Sequence, residues 1–350
     1  MRLAVLSDLH LGKKQYRTEE GSLNKFESAN YRALFDSIEC IKKENPDVIL
    51  VAGDIFDTPN PTVYAMEQFR EMMRQLVDYP MLLVLGNHDF GFVNRANGCS
   101  AVRTLLDPSM NIKAFAEYEP MLVEIEDTAF VLAPYIYDKL ENLTSYWQKV
   151  EKLLENTKCT YKVCLTHGLT ENYALKHSEL ADKFQTPTSV VRSCDVVLIG
   201  HIHNPFEYKD NKTLVISPGA LVDYQADEKH TGPLFIEVET KKHRWEIIDA
   251  PHIIKRDLDE TNINEFLKKV GPYIYNLTYN GNIDSIDNDL FVKAKNKAIN
   301  LVLNLSKPEE MKQQKVSLNT NFYDWVKVNH NDMLPFFMEA KNNLSLEEAD

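Results

Sequence analysis

The stretch LAVLSDLHLG, residues 3–12, carries a pattern that organises the whole chain. A short apolar run leads straight into Asp8 and His10, which reads as a buried strand handing two polar side chains to a turn. The arrangement returns four times. VILVAG at 48–53 leads to Asp54, LLVLG at 82–86 to Asn87, KVCLT at 162–166 to His167, and VVLIG at 196–200 to His201 and His203. In open α/β sheets, ligands collect beyond the carboxyl ends of the strands, so the five tips are expected to share one rim. In extended backbone, the i, i+2 spacing of Asp8 with His10 and of His201 with His203 sets both members of each pair on the same side. Gly53, Gly86, Gly168 and Gly200 let the chain pass close to such a site.

Carboxylate, amide oxygen and imidazole without thiolate form a donor set suited to Mn²⁺, Fe²⁺ or Zn²⁺. Two such ions roughly 3.5–4 Å apart clamp the attacking and leaving oxygens of a phosphoryl group, so phosphoester hydrolysis is the expected chemistry. Asp54 is expected to bridge two ions, with Asp8, His10 and His203 on one and Asn87, His167 and His201 on the other. His88, directly after Asn87, is placed to act as general acid toward the leaving group. Asp57 is expected to orient it through a carboxylate–imidazole hydrogen bond. A single histidine is more often a hydrogen-bonded core residue than a ligand, but five blocks in series at strand ends outweigh that reading. Lys13, Lys14, Tyr16 and Arg17, basic residues around an aromatic, are the candidate DNA contacts at the rim.

At 350 residues, with 44% hydrophobic and 26% charged residues, the chain is expected to be globular, with a main domain and a smaller appendage. Its net charge of -13 argues against a broad basic surface for nucleic acid. No apolar stretch approaches the roughly 20 residues that span a bilayer, and MRLAVLSDLH lacks a signal-cleavage pattern, so no membrane association and a cytoplasmic location are expected (host cytoplasm if viral). Five cysteines without a CxxC pair read as core residues. Helices are expected at about 28–44, stopped by Asn45-Pro46, and at about 61–77. After Pro251 the character changes to alternating helix and strand signals without a ligand cluster. The division is therefore 1–251 for the main domain, 252–306 for a small second domain, and 307–350 for a linker and terminal helical segment. In that last segment Phe322, Trp325, Leu334, Phe336 and Phe337 form an apolar cluster, read either as a helix folded onto its own protein or as a partner-docking site.

The motif series D-x-H, G-D-x-x-D, G-N-H-D, H and G-H-x-H resembles that of the calcineurin-like metallophosphoesterases, present in full and in order. Within that superfamily, DLHLG, GDIFDTPNP and ISPGALVDYQADEKHTGPLFIEVE are similar to segments of SbcD-type DNA-repair nucleases, including phage recombination nucleases. Thr58-Pro59 stands where the superfamily's protein phosphatases carry Arg-Gly. Asp57 stands where archaeal and eukaryotic relatives carry histidine, and Ala220 where serine is usual. The resemblance covers about residues 1–250. It implies an α/β fold, a metallophosphoesterase β-sandwich flanked by helices, with a small α+β capping domain over 252–306 and a C-terminal helical tail. It further implies a Mn²⁺-dependent exonuclease and endonuclease (Mg²⁺, Fe²⁺ or Zn²⁺ being the other candidate ions), a homodimer, and a tail that binds the coiled-coil base of an SbcC-like ABC-type ATPase. The alternative is a small-molecule phosphodiesterase, such as one cleaving cyclic nucleotides, or a phosphomonoesterase of the same superfamily. A metal-free scaffold is the least favoured reading.

Overall fold

The computed structural model describes residues 1–15, 24–90, 100–136, 140–176, 185–225 and 228–305. Tyr16, Arg17 and the whole apolar cluster from Phe322 to Phe337 lie outside them.

Two six-stranded sheets form the main body. The first holds β1 (Arg2–Leu6), β2 (Val48–Ala52), β3 (Met81–Val84) and β4 (Ile112–Ala116), with β13 (Leu234–Glu237) and β14 (His243–Trp245) beyond β1. The second holds β5 (Met121–Ile125), β6 (Thr128–Ala133), β7 (Tyr161–His167), β10 (Val196–Gly200), β11 (Phe206–Asp210) and β12 (Thr213–Ser217). In each, four neighbouring strands run parallel: β1 to β4 in the first, and β12, β10, β7 and β6 in the second. A small parallel ribbon, β8 (Leu169–Thr170) with β9 (Gln185–Thr186), follows His167.

Strand alternation explains why the apolar runs are continuous. Leu3, Val5, Leu50 and Val84 point between the sheets, where they pack with Phe130, Val163, Leu198 and Ile216 of the second sheet. Ala4, Leu6, Ile49 and Val51 point the other way, into a core shared with α1 (Lys25–Glu44), α2 (Val63–Gln75) and α3 (Ala101–Leu105). On the far side Val131, Cys164, Val197 and Val215 pack with α4 (Leu140–Asn156) and α6 (Thr188–Arg192), while α5 (Glu171–Lys176) follows β8. The result is a helix–sheet–sheet–helix sandwich in which both faces of both sheets are covered, as parallel strands require.

Helix α1 starts earlier than its apolar spacing indicates, because the Asn24 side chain accepts from the N–H groups of Phe26 and Glu27 and caps the first turn. Asn45, left-handed at φ 48°, ends it with its N–H on the Ile41 carbonyl. Among the described residues no helix is long and apolar enough to cross a membrane.

Residues after Pro251 build a three-stranded parallel sheet from β15 (Ile253–Asp259), β16 (Ile274–Asn280) and β17 (Asn300–Leu305). Helices α7 (Ile263–Lys268) and α8 (Asn288–Lys297) contribute to its separate core, in which Ile263, Leu277, Tyr279 and Ala298 are fully buried. Strands β15 and β16 escaped the sequence reading because exposed Lys255, Asp257 and Asn276 interrupt their apolar residues. Asp223 ties this unit to the main body by accepting from the Ile253 N–H at 3.1 Å, and Lys25 reaches the carbonyls of Asn296 and Ala298.

Candidate metal centre

The five strand tips come from both sheets and meet at one edge of the sandwich. β1, β2 and β3 deliver Asp8, His10, Asp54 and Asn87; β7 and β10 deliver His167, His201 and His203. The i, i+2 pairs face one site for a different reason from the extended geometry that their spacing suggests. Asp8 (φ 51°), His10 (φ 42°), Asp54 (φ 50°) and His201 (φ 99°) all have positive φ, so the backbone curls at the tips of β1, β2 and β10 instead of continuing the strand. Positive φ is uncommon outside glycine and gathers at functional sites.

The polar atoms converge closely. Asp8, His10 and His203 offer ligand atoms within 4.8 Å of one another, as do Asp8, Asp54 and His167. His10 Nε2 lies 3.2 Å from His203 Nε2 and 3.6 Å from Asp54 Oδ2. Asn87 Oδ1 is 2.9 Å from both His167 Nε2 and His201 Nδ1. Two glycines make the approach feasible: a Cβ at Gly86 would collide with the Asp54 carboxylate, and one at Gly200 with the Ala52 carbonyl.

Asp8 and Asp54 are buried, yet no lysine or arginine forms an ion pair with either among the described residues. Burial works against ionisation of Asp54, but His167 and His10 outweigh it and hold its pKa well below the usual range. Burial likewise opposes a charged His167, and the carboxylates of Asp54 and Asp8 lift it instead to about 9. His10 is different: burial dominates, its pKa is lowered, and the ring is neutral. Its Nδ1 lies 3.3 Å from the Asp57 carboxylate, at ion-pair distance but outside hydrogen-bond geometry. Two buried carboxylates and an imidazole whose burial favours its neutral form, with its Nε2 facing a second histidine, fit a cation-binding centre. The 3.2 Å between His10 and His203 also matches about 3.0–3.4 Å, the spacing of two nitrogens sharing one ion at ~2.1 Å bond lengths.

His88 stands beside this group, its ring edge-on to His10 at 4.7 Å and its backbone N–H donating to Asp54 Oδ1 at 2.8 Å. The expected Asp57 carboxylate–His88 bond is not what forms. His88 Nδ1 lies 2.8 Å from the Asp57 backbone carbonyl, while the Asp57 carboxylate pairs with His10 and with Lys13 Nζ at 2.9 Å. Although burial resists it, those two partners lower the Asp57 pKa to about 2. Lys13 is thereby engaged within the site, 5.0 Å over the Tyr224 ring, whereas Lys14 is exposed.

Three more residues support the site, of which Tyr224 and Glu228 were not singled out from sequence. Asp89 accepts from the N–H groups of Ile55, Phe56 and Gly86 and so fastens the second and third tips together. Burial and the Asp54 charge raise its pKa to about 7 against those three donors. Tyr224 packs edge-on against His10 and His203 at 5.0 Å and donates to the Leu9 carbonyl. Glu228 Oε1 lies 2.8 Å from His203 Nδ1. The available signal was the acidic loop after Pro218-Gly219, whose register with the site no spacing rule specifies.

A helix-flanked double sheet with acids, amide and imidazoles gathered at its strand tips is the framework of a metal-dependent phosphoesterase. Residues 1–205 match the calcineurin-like phosphoesterase family, and the chain belongs to it. It is 25% identical over 242 residues to the DNA double-strand break repair protein Mre11 of Aeropyrum pernix, an alignment taking in 67% of this chain and 57% of that protein. It is 24% identical over 253 residues to the SbcD component of the nuclease SbcCD of Staphylococcus epidermidis, covering 65% of this chain and 63% of that one. The chain thus spans about three fifths of the length of the curated relatives it matches. Among solved structures, a novel archaeal phosphodiesterase aligns over 71% of this chain and 100% of its own, at 16% identity and a TM-score of 0.38.

Proposed function

We propose that the chain is a Mn²⁺-dependent DNA nuclease, the nuclease subunit of an ATPase–nuclease complex that processes DNA ends in recombination and repair. The observation that carries the chemistry is the convergence of Asp8, His10, Asp54, Asn87, His167, His201 and His203 on one edge of the sandwich. Similarity to a break-repair protein and to a nuclease component supports DNA as substrate.

In this reading Asp8, His10 and His203 would hold one ion and Asn87, His167 and His201 the other, with the Asp54 carboxylate available to both. When bound, the ions supply Lewis acidity toward the scissile phosphate. The chain does the rest. The Asp57 carbonyl can only accept, so His88 donates to it through Nδ1 and leaves Nε2 to act as general acid toward the departing oxygen. Lys13 and Asp57 brace His10 from behind.

The unit over 252–306 serves as a cap on the nuclease domain of 1–251. Its Asp223 link supports this, because Asp223 belongs to the segment that also carries Glu228 to His203. The tail over 307–350, with Phe322, Trp325, Leu334, Phe336 and Phe337, is proposed to dock on the coiled coil of an ABC-type ATPase, which would supply basic DNA-binding surface that a chain of net charge -13 lacks. A homodimer of this subunit completes the assembly.

The test is hydrolysis by the purified protein with Mn²⁺, on end-labelled linear DNA and on cyclic nucleotides in parallel. Metal-dependent DNA cleavage is expected. Turnover of cyclic nucleotides alone would replace the nuclease reading with that of a small-molecule phosphodiesterase.

A further inference from the structure

The segment after His203 folds back onto the candidate centre, and its Glu228, 25 residues on, meets the His203 ring. Glu228 Oε1 lies 2.8 Å from His203 Nδ1, while Oε2 accepts from the N–H groups of Tyr224 at 2.7 Å and Gln225 at 3.0 Å. The same segment grips the His203 backbone. Ala220 N–H donates to the His203 carbonyl at 2.9 Å, Thr231 N–H donates to the Ala220 carbonyl, and the Asn204 side chain accepts from Lys229 N–H at 2.7 Å. Gly219 passes so near that a Cβ there would stand 2.8 Å from the His203 carbonyl oxygen.

A carboxylate with no proton can only accept, so His203 must donate to it through Nδ1. In the neutral ring the lone pair then sits on Nε2, the nitrogen that faces His10 Nε2 at 3.2 Å. An imidazole binds a cation through its unprotonated nitrogen, and a partner on the other nitrogen decides which one that is. We infer that Glu228 is a positioning residue that sets the tautomer and ring orientation of His203 for ion binding. This rests on the two-ion reading of the site.

The competing role for Glu228 is purely architectural, closing the 224–228 turn through Oε2. The variant Glu228→Gln separates the two. Its single amide oxygen can remain on the Tyr224 and Gln225 N–H groups, and its NH₂ then donates to Nδ1 and drives the ring proton onto Nε2. Glu228→Ala instead removes both sets of bonds and leaves Nδ1 to water, which accepts its proton. An architectural role therefore makes Ala the more damaging change in every measurement. A tautomer role makes Gln the more damaging for metal binding and Ala the more damaging for stability.

The experiment titrates the full-length wild type and both variants with Mn²⁺ alone by calorimetry. Thermal melting and ¹⁵N-imidazole spectra of His203 are recorded on the metal-free proteins over a pH series that reaches the neutral ring. Two bound ions are expected in the wild type. In Glu228→Gln one of them weakens by about 10–100-fold, melting stays close to wild type, and the His203 spectrum changes to the Nε2–H form. Wild-type Mn²⁺ affinity with an unchanged His203 tautomer in Glu228→Gln would overturn the inference. So would Ala weakening the ion more than Gln. Failure of the wild type itself to bind Mn²⁺ would overturn the metal reading instead, and is distinguished by arising in the unaltered chain.

Discussion

The His88 ring is held by the backbone carbonyl of Asp57, 2.8 Å from Nδ1, while the Asp57 carboxylate lies nearest to Lys13 and His10. Substitution at 57 therefore keeps the bond that orients His88 and removes the negative charge that stands 3.3 Å from His10 Nδ1. Asp57→Asn is expected to weaken Mn²⁺ binding by about 10–100-fold, with turnover recovered at high metal concentration. His88→Asn should retain metal and lose about 10²–10⁴ in turnover at saturating Mn²⁺. Calorimetric affinity set beside kcat separates the two. Equal loss of both quantities in Asp57→Asn would show that its carboxylate acts on the chemistry directly.

His167 is protonated in the metal-free protein at neutral pH, since Asp54 and Asp8 overcome burial and place its pKa at about 9 against an ordinary 6.5. A cation must displace that proton. Mn²⁺ binding at pH 7 should release about one proton from this group, and affinity should rise with pH until about pH 9. Calorimetry in two buffers of different ionisation enthalpy counts the protons; a buffer-independent heat would contradict the assignment.

Asp89 binds its proton more tightly folded than unfolded, because burial and Asp54 raise its pKa from 3.8 to about 7. The stability that this provides is complete below about pH 4 and is lost as pH climbs through 7. Chelator-treated wild type should accordingly lose stability across that interval relative to Asp89→Asn, which cannot titrate. Urea midpoints at pH 4.5, 6 and 7.5 measure the difference, and parallel curves for the two proteins would refute it.

Gly86→Ala sets a methyl group against the Asp54 carboxylate and backbone. Forced overpacking of this kind costs about 1–3 kcal/mol, and here it also displaces the Asp54 carboxylate from the candidate ligand cluster. A lower urea midpoint together with weaker Mn²⁺ binding is expected. Normal metal affinity would mean that the strand tips yield more easily than their packing indicates.

Much of this centre was legible because each strand is buried on both faces and so appears as an unbroken apolar run ending in a polar residue. Asp8, Asp54, Asn87, His167 and His201 could be located from that contrast alone. Which sheet each strand joins could not, since Leu82–Val84 and Val196–Leu198 read alike while packing in different layers. The Asp57 contact was misassigned for a physical reason: a sequence displays side chains, and the group that binds His88 is a carbonyl every residue possesses. Glu228 was hidden by distance along the chain. Its place depends on how Pro218 to Thr231 folds back, through bonds such as Thr231 N–H to the Ala220 carbonyl.

The curled backbone at Asp8, His10, Asp54 and His201 has a kinetic meaning. Non-glycine residues in that conformation cost of order 1–3 kcal/mol each, and their neighbours must hold them there. With the cations stripped away, the tips should be the first part of the sandwich to open, while the strands behind them stay shut. Amide deuterium uptake after chelation should therefore begin at residues 8–10, 54 and 201 and spread no further into β1, β2 or β10. The protein would then lose its chemistry long before its shape, and regain it on the timescale of a loop closing instead of a domain refolding.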